Sequence, residues 1–382
     1  MTPYATFPYF LIIALLLTPT IVAGLKGKTL RTYNSVITIF ILAIIFANKP
    51  EQALSLVIFA LWQAALIKGY LVLRKRDNRA STFYAAVVLS ILPLLLVKLV
   101  PFFESLSAVG FLGISYLTFK TVQMIMEIRD GQIKDVTLYN FMRFLLFFPT
   151  ITSGPIDRYR RFQKDITQTP APKEYKELLY IGLNRIFQGF LYKFIIGYLI
   201  HEHVIQSAFV KQDTFTAILV YMYAYSLYLF FDFAGYSAFA IGVSYLMGIK
   251  TPENFNKPFI SRNIKDFWNR WHMSLSFWFR DYVYMRFVFF MTKKKIIKDR
   301  YLISYIGFFL NFFLMGIWHG LHIHYIIYGL YHALLFIVFD LFERQNKQRK
   351  FWPQNRLTYI LAVIITFHFV CFGFLIFSGR LN

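Results

Sequence analysis

The sequence alternates long apolar runs with short segments rich in lysine and arginine. A helix needs about 20 mostly apolar residues to cross a bilayer. Such runs predict membrane helices at 7–25, 33–47, 51–73, 82–100, 106–126, 138–152, 178–200, 302–318, 323–342 and 357–377. The stretch 215–249 is too long for one crossing and predicts two helices broken near Asp232 and Gly235. The pattern predicts an all-α polytopic membrane protein with about 11–13 transmembrane helices.

The basic residues also predict the orientation of the chain. Lys26, Lys28 and Arg31 follow the first apolar run, and this favours a cytoplasmic first loop and an extracytoplasmic N-terminus. No lysine or arginine precedes Lys26, so the first run lacks the basic start of a signal peptide and is expected to be retained. We therefore expect a multi-pass protein of the cell membrane in contact with membrane lipids.

The composition excludes several classes of protein. The chain has 382 residues, of which 57% are hydrophobic and only 16% charged, and this balance excludes a soluble globular protein. The net charge of +22 could suggest binding to nucleic acid. The basic residues, however, lie in short segments between apolar runs, as they do in the cytoplasmic loops of membrane proteins. We expect no nucleic-acid partner. The single cysteine, Cys371, lies in an apolar run and is expected to pack as a small hydrophobe.

Two polar segments interrupt the apolar pattern, at 153–161 and at 252–300. The first contains Gly154 and Pro155, which would break a helix. The second combines aromatic and charged residues that a lipid-facing helix cannot carry. It must therefore lie at the interface, line a wet cavity or be enclosed by other helices. Functional residues are expected there.

Two histidines are candidates for acid–base chemistry. His272 lies in the second polar segment, and His319 ends an apolar helix. Histidine suits proton transfer near neutral pH, while a hydrogen-bonded structural role is the alternative for each. His322, His324 and His332 lack the spacing of a zinc enzyme, and no metal site is predicted.

Acidic residues in apolar surroundings have two interpretations. Asp232 could belong to a proton relay or hold helices together, and the structural role is favoured because nothing else in its run suggests an ion path. Glu253, Asp266 and Asp281 have basic neighbours, so structural ion pairs are expected. The sequence shows no phosphate-binding loop, nucleophile elbow or Walker lysine.

Four segments together resemble the membrane-bound O-acyltransferase (MBOAT) family. They are FDFAGYS at 231–237, NFNKP at 254–258, FWNRWHMSLS at 267–276 and GIWHG at 316–320. The two histidines are 319 − 272 = 47 residues apart, which fits the paired positions of that family. The segments 153–158 and 278–281 are similar to the branch that D-alanylates teichoic acids in Gram-positive bacteria. The resemblance covers essentially the whole chain.

The resemblance implies an MBOAT-type ring of helices, with interfacial and re-entrant helices around a thin centre. An outer funnel and a narrow tunnel to the cytoplasm are implied as well. The chain would form one membrane domain, 1–382. It would comprise N-terminal helices at 1–100, an MBOAT core at 101–342 with catalytic segments 252–300 and 302–332, and a cytoplasmic loop with the last helix at 343–382. The resemblance also implies a short C-terminal tail beyond Asn382, because chains of this family end slightly later.

The resemblance further implies the substrates. The donor would be D-alanine as a thioester on the 4'-phosphopantetheine of a small acidic D-alanyl carrier protein, with no cofactor bound by the chain itself. The acceptor would be teichoic acid, reached directly or through an extracytoplasmic D-alanylation partner protein.

Transfer from a thioester to a hydroxyl needs a base and a group that stabilises the oxyanion. His319, deeper in its apolar helix, is assigned as the base and His272 as the second catalytic group, although the roles could be exchanged. The resemblance implies tunnel or structural support from Asp232, Asn269, Arg270, Trp271, Ser274 and Trp318.

A candidate docking site for the carrier protein lies near the end of the second polar segment. It consists of the apolar Met285, Val288, Phe289 and Phe290 and the basic Lys293, Lys294 and Lys295. An apolar patch beside a basic cluster suits an acidic partner with a hydrophobic rim. A membrane-interface helix anchored by lysines is the alternative.

Two other functions remain open at this point. One is a related O-acetyltransferase acting on an exopolysaccharide or peptidoglycan, and the other is a transporter or flippase with a histidine-lined path. A transporter should survive the loss of a base, whereas an acyltransferase should lose turnover while still binding its carrier.

Overall fold

The computed structural model describes residues 1–99 and 110–381. Every regular element in these residues is a helix, and none is a strand. The predicted all-α class is confirmed. The predictions at 100 and 106–109, and at the final residue, fall outside the described residues.

The first compact unit comprises Met1–Gly189 and Tyr236–Pro252. It contains eight complete α-helices in its described part: α1 Phe7–Leu25, α2 Arg31–Phe46, α3 Pro50–Arg76, α4 Ala80–Leu99, α5 Ile114–Arg129, α6 Leu138–Leu145, α7 Tyr159–Thr167 and α8 Pro172–Gly189. The bounds of α1–α4 follow the first four apolar runs, because apolar length decides where a membrane helix begins and ends.

The second compact unit comprises Phe190–Gly235 and Glu253–Asn382. It begins with π-helical turns at Phe190–Gly197 and His201–Ile205 around the short α9, Tyr198–Ile200. Helix α10, Phe215–Leu246, belongs to both units. The later helices are α11 Ile264–Trp268, α12 Met273–Phe279, α13 Met285–Lys294, α14 Arg300–His319, α15 Ile323–Arg349 and α16 Arg356–Phe377.

Seven of the described helices are long and apolar enough to cross a membrane, and these are α1, α3, α4, α10, α14, α15 and α16. Helix α2 is apolar but has only 16 residues. The prediction of a multi-pass membrane protein is confirmed. The expected number of about 11–13 crossings stays a prediction, because length and composition alone define the seven.

The predicted break in the stretch 215–249 is wrong. Helix α10 runs without interruption for 32 residues. Asp232 stays inside it because its carboxylate pairs with the ammonium group of Lys193. A glycine inside a helix costs only about 1 kcal/mol, so Gly235 alone does not end it.

The predicted spanning helix at 138–152 is also wrong. Helix α6 has 8 residues and ends at Leu145, and only a 3₁₀ turn at Phe148–Thr150 follows. Pro149 lies in that turn and cannot supply the backbone N–H that a continuing helix requires. The run 178–200, in contrast, is helical throughout, as α8, a π-helical segment and α9.

The polar segment at 153–161 is non-helical around Gly154 and Pro155, as predicted, and α7 begins at Tyr159. A buried carboxylate holds the segment in place. Asp157 is 2% exposed and accepts hydrogen bonds from Arg161 Nε at 2.5 Å and from the backbone N–H of Arg158 at 2.7 Å. Burial raises the pKa of Asp157, and Arg161 opposes this rise. Gln123 Nε2 donates to the Asp157 carbonyl oxygen at 2.5 Å, so the segment is tied to α5.

Candidate active site

The polar segment at 252–300 folds into short helices joined by tight turns. Asn263 caps α11 by accepting a hydrogen bond from the backbone N–H of Asp266 at 2.8 Å. Helix α12 passes directly into a π-helical turn at Arg280–Tyr284. Such turns inside α-helices are frequent at functional sites. The segment thus provides an irregular backbone that carries both polar and aromatic side chains.

His272 lies at the start of α12 in a left-handed backbone conformation, with φ of +42°. This conformation is unfavourable for a residue with a Cβ atom, and strained residues cluster at functional sites. The side chain is enclosed, since only 4% of the residue is exposed. Its ring meets the ring of Phe233 edge-on, with 4.6 Å between the ring centroids.

The imidazole of His272 is held in its neutral form. It lies outside the seven spanning helices, and burial lowers its pKa from 6.5 to about 3, with a smaller contribution from the charge of His319. Its Nε2 atom is buried and has no hydrogen-bond partner in the described residues. A neutral imidazole with a free ring nitrogen can contact a substrate.

His319 is the last residue of α14, as the sequence predicts, and is partly exposed. Its ring packs against Trp318 at 4.5 Å and edge-on against Phe377 at 4.9 Å, measured between centroids. The charge of His319 contributes to the lowered pKa of His272, so the two predicted catalytic residues interact electrostatically. His272 is the more enclosed of the two.

Asn254 holds the chain next to His272. Its side-chain oxygen accepts a hydrogen bond from Ser274 Oγ at 2.6 Å, and its backbone carbonyl accepts one from the Met273 N–H at 2.9 Å. Asn254 is fully buried. The segment 254–258 is therefore fixed against the start of α12, the helix that follows His272.

The predicted support residues at 269–271 have three different environments. Trp271 is buried, with its ring 4.7 Å from Phe374. Arg270 Nε donates to Asp266 Oδ1 at 2.8 Å, as expected for a structural ion pair. Asn269 is exposed and ends α11 with its backbone.

One buried pair was missed by the sequence analysis. Trp268 Nε1 donates to His332 Nδ1 at 3.3 Å, and His332 is fully buried. The hydrogen bond fixes the proton of the neutral imidazole on Nε2. The available signal was a histidine within the apolar helix α15, and such a residue does not reveal its partner.

Asp232 forms an ion pair with Lys193. A structural role for Asp232 requires such a partner. Lys193 lies in the π-helical segment Phe190–Gly197. A Cβ atom on Gly197 would be 3.6 Å from the Asp232 backbone nitrogen, which shows how closely the two segments approach. The pair joins α10 to the start of the second unit.

Helix α13 exposes the residues expected to receive a carrier protein. Met285 is 51% exposed and Phe289 is 67% exposed. Val288 lies on the same helix face, because residues three and four apart are neighbours. The group is completed by four exposed residues, Phe290, Lys293, Lys294 and Lys295. Lys293 Nζ lies 5.8 Å from the Phe289 ring centroid, so the basic and apolar parts are contiguous.

The remaining histidines do not form a metal centre in the described residues. The rings of His322 and His324 stack at 5.6 Å, while His332 is engaged by Trp268. No group of three potential ligands occurs in residues 1–99 or 110–381. Cys371 is buried, as expected for a packed thiol.

Known proteins resemble this chain over its full length. The model of the membrane-bound O-acyltransferase family matches residues 79–379. Teichoic acid D-alanyltransferase of Bacillus subtilis (strain 168) is 58% identical over 100% of the chain and 98% of its own length. The protein of the same name from Lacticaseibacillus rhamnosus is 46% identical over 100% and 98%.

A second group of relatives matches part of the chain. The probable alginate O-acetylase AlgI of Pseudomonas fluorescens is 33% identical over 66% of the chain and 50% of its own length. The family match spans both histidines and most of the described helices. The chain belongs to the membrane-bound O-acyltransferase family.

Proposed function

We propose that this membrane-bound acyltransferase moves D-alanine from the phosphopantetheine thioester of a D-alanyl carrier protein, across the membrane, to teichoic acid hydroxyls. The observation that carries the proposal is the neutral, enclosed imidazole of His272 within electrostatic reach of His319. The substrates are supported by full-length relatives named teichoic acid D-alanyltransferase.

In the proposed reaction, a hydroxyl oxygen attacks the thioester carbonyl carbon. An ester C–O bond forms, the C–S bond breaks, and the carrier leaves as its thiol. His319 takes the hydroxyl proton and returns it to the departing sulfur. A burial-lowered pKa makes His272 a poor proton acceptor, so it is better suited to orient or polarise a reactant.

The carrier would dock on α13. Met285, Val288 and Phe289 offer an apolar contact, and Lys293–Lys295 offers positive charge to an acidic partner. The same helix could instead rest at the membrane surface, with its lysines at the headgroups. Direct measurement of carrier binding separates these two roles.

The orientation completes the proposal. Basic loops on the cytoplasmic side would leave the N-terminus extracytoplasmic and let the carrier approach from the cytoplasm. The acceptor would then lie outside, either as teichoic acid itself or as an extracytoplasmic D-alanylation partner protein that passes the acyl group on. Asp232, Asn269, Arg270, Trp271, Ser274 and Trp318 would support the path between the two sides.

The test is transfer of labelled D-alanine from charged carrier protein in membranes that contain the wild-type chain, His319→Ala or His272→Ala. Carrier binding is measured in parallel. His203→Ala, which changes an exposed histidine of the same unit, is the matched control. We expect loss of transfer with binding retained for the two site variants, and no change for the control.

A related O-acetyltransferase is the second candidate, favoured by the similarity to a probable alginate O-acetylase. Consumption of an acetyl donor by wild-type membranes, without use of D-alanine, would favour that reaction. Transfer that survives loss of both histidines would contradict the catalytic roles proposed here and favour a transporter.

A further inference from the structure

A groove of about 1020 Å³ runs along α15 and α16. Its apolar wall is exposed, with Leu334 at 57%, Val338 at 52%, Ile365 at 45% and Phe369 at 48%. Both helices are long and apolar enough to span a membrane. Side chains of this kind on spanning helices are suited to hydrocarbon.

One end of the groove is polar and basic. Arg262 and Arg356 line it together with Trp352 and Tyr359. The guanidinium carbon of Arg262 lies 5.8 Å from the centre of the Tyr359 ring. Tryptophan and tyrosine are enriched at the level of lipid headgroups. This end is therefore suited to the polar part of an amphiphile.

In the part of the chain that the structure describes, neither arginine is paired with a carboxylate. Glu343 is the acidic residue among the described residues that line the groove, and it accepts a hydrogen bond from Lys265 Nζ at 3.1 Å. Neither Arg262 nor Arg356 forms an ion pair within residues 1–99 and 110–381. The nearby Asp266 is engaged by Arg270. The polar end thus has charge available for an anion.

Hydrogen bonds fix the loop at this end before any ligand arrives. Asn346 Nδ2 donates to the Trp352 carbonyl at 3.1 Å, and the Trp352 N–H donates to Asn346 Oδ1 at 2.7 Å. The Thr358 N–H donates to Asn355 Oδ1 at 2.9 Å. A preformed site loses less entropy when it binds.

We propose that the groove binds an anionic phospholipid, with its phosphate on Arg262 and Arg356 and its acyl chains along α15 and α16. Guanidinium groups match phosphate geometry, and basic pockets between membrane helices bind anionic headgroups. A soluble anion would leave the apolar wall unused, and a neutral lipid would leave the arginines without a counter-charge.

The test is native mass spectrometry of the purified full chain with phosphatidylglycerol, with phosphatidylcholine of the same acyl chains, or with glycerol 3-phosphate. The Arg262→Gln/Arg356→Gln variant should lower the retention of phosphatidylglycerol by about tenfold or more and leave the retention of phosphatidylcholine unchanged. Arg349→Gln/Lys350→Gln removes two charges outside the groove lining and should retain phosphatidylglycerol as the wild type does.

A second variant tests the wall without changing charge. Val338→Trp fills the groove and should also reduce retention of phosphatidylglycerol. Equal retention of both lipids by the wild type, or equal retention of phosphatidylglycerol by the wild type and the Arg262→Gln/Arg356→Gln variant, would overturn the proposal. So would binding of glycerol 3-phosphate in place of lipid.

Discussion

Ser274 donates a hydrogen bond to the side chain of Asn254 at 2.6 Å, two residues after His272. Asn254 is fully buried and accepts the Met273 N–H through its backbone. The two residues therefore connect the segment 254–258 to the helix that begins beside the left-handed His272. The position of the His272 imidazole therefore depends on a hydrogen bond between two uncharged side chains.

Ser274→Ala should destabilise the chain by about 1–3 kcal/mol, because it removes the donor to a buried amide oxygen. Acyl transfer should fall mainly through kcat, since His272 loses support while substrate contacts remain. Thermal unfolding in detergent and steady-state transfer measure the two effects. Ser276→Ala, in the same helix with a partly exposed side chain, is the matched control and should change neither. Equal effects of the two variants would contradict the positioning role.

The lowered pKa of His272 predicts that acid destabilises the fold. The unfolded chain binds a proton as the pH falls through about 6.5, whereas folded His272 stays neutral down to about 3. The unfolded state then holds more protons, so stability is complete above 6.5 and is lost as the pH falls from 6.5 toward 3, by up to about 1.4 kcal/mol per pH unit.

Thermal unfolding from about pH 7.5 to about pH 5 measures this slope. His272→Gln should flatten the curve, because glutamine does not titrate. His203→Gln changes an exposed histidine and should keep the wild-type slope. Parallel curves for the wild type and His272→Gln would show that His272 does not govern the acid sensitivity.

The Lys193–Asp232 ion pair predicts that substitutions at its two residues have non-additive effects on stability. Lys193→Met leaves a carboxylate in a partly enclosed site and should cost about 1–2 kcal/mol, and Asp232→Asn should cost a similar amount. The double variant should recover part of the loss, because neither charge remains unpaired. A proton relay would behave differently, with transfer abolished in Asp232→Asn and in the double variant while both remain folded.

Much of the fold was predictable because apolar length determines membrane helices. The run 7–25 corresponds to α1, and 357–377 corresponds to α16 within one residue. The break predicted at Asp232 failed because its partner, Lys193, is 39 residues away and only the fold brings them together. Sequence patterns carry no information about such a distant pair.

The site was predictable in its residue types and not in its geometry. The polar segment identified His272, but a positive φ at a residue other than glycine has no signature in sequence. The bond between Trp268 and His332 was hidden for a related reason, since both lie in aromatic surroundings that look like ordinary core. Tertiary packing decides both features.

The exposed face of α13 predicts a specific effect of one charge. If the carrier protein docks on α13 as proposed, Val288→Asp should abolish its pull-down, because the new carboxylate would lie in the apolar contact and repel an acidic partner. Phe351→Asp introduces the same charge at an exposed aromatic residue beside the basic Lys350 and should leave binding intact. Unchanged binding by Val288→Asp would contradict docking on α13.

The close packing of α14 and α15 predicts that Gly316 cannot be enlarged. A Cβ atom there would lie 2.5 Å from the Tyr325 carbonyl oxygen, and backbone cannot move aside as a side chain can. Small residues allow membrane helices to approach closely. Gly316→Ala should therefore push α15 away from the end of α14, where His319 lies, and lower both transfer and thermal stability.

Gly69→Ala is the matched control for this substitution, because nothing lies within 4 Å of a Cβ atom at Gly69. It lies inside α3, where alanine is favoured over glycine by about 1 kcal/mol, so its thermal stability should be unchanged or slightly higher. Gly316→Ala with wild-type stability and transfer would show that α14 and α15 can separate without disturbing His319. The position of His319 would then depend on its aromatic neighbours, Trp318 and Phe377, rather than on the packing of the two helices.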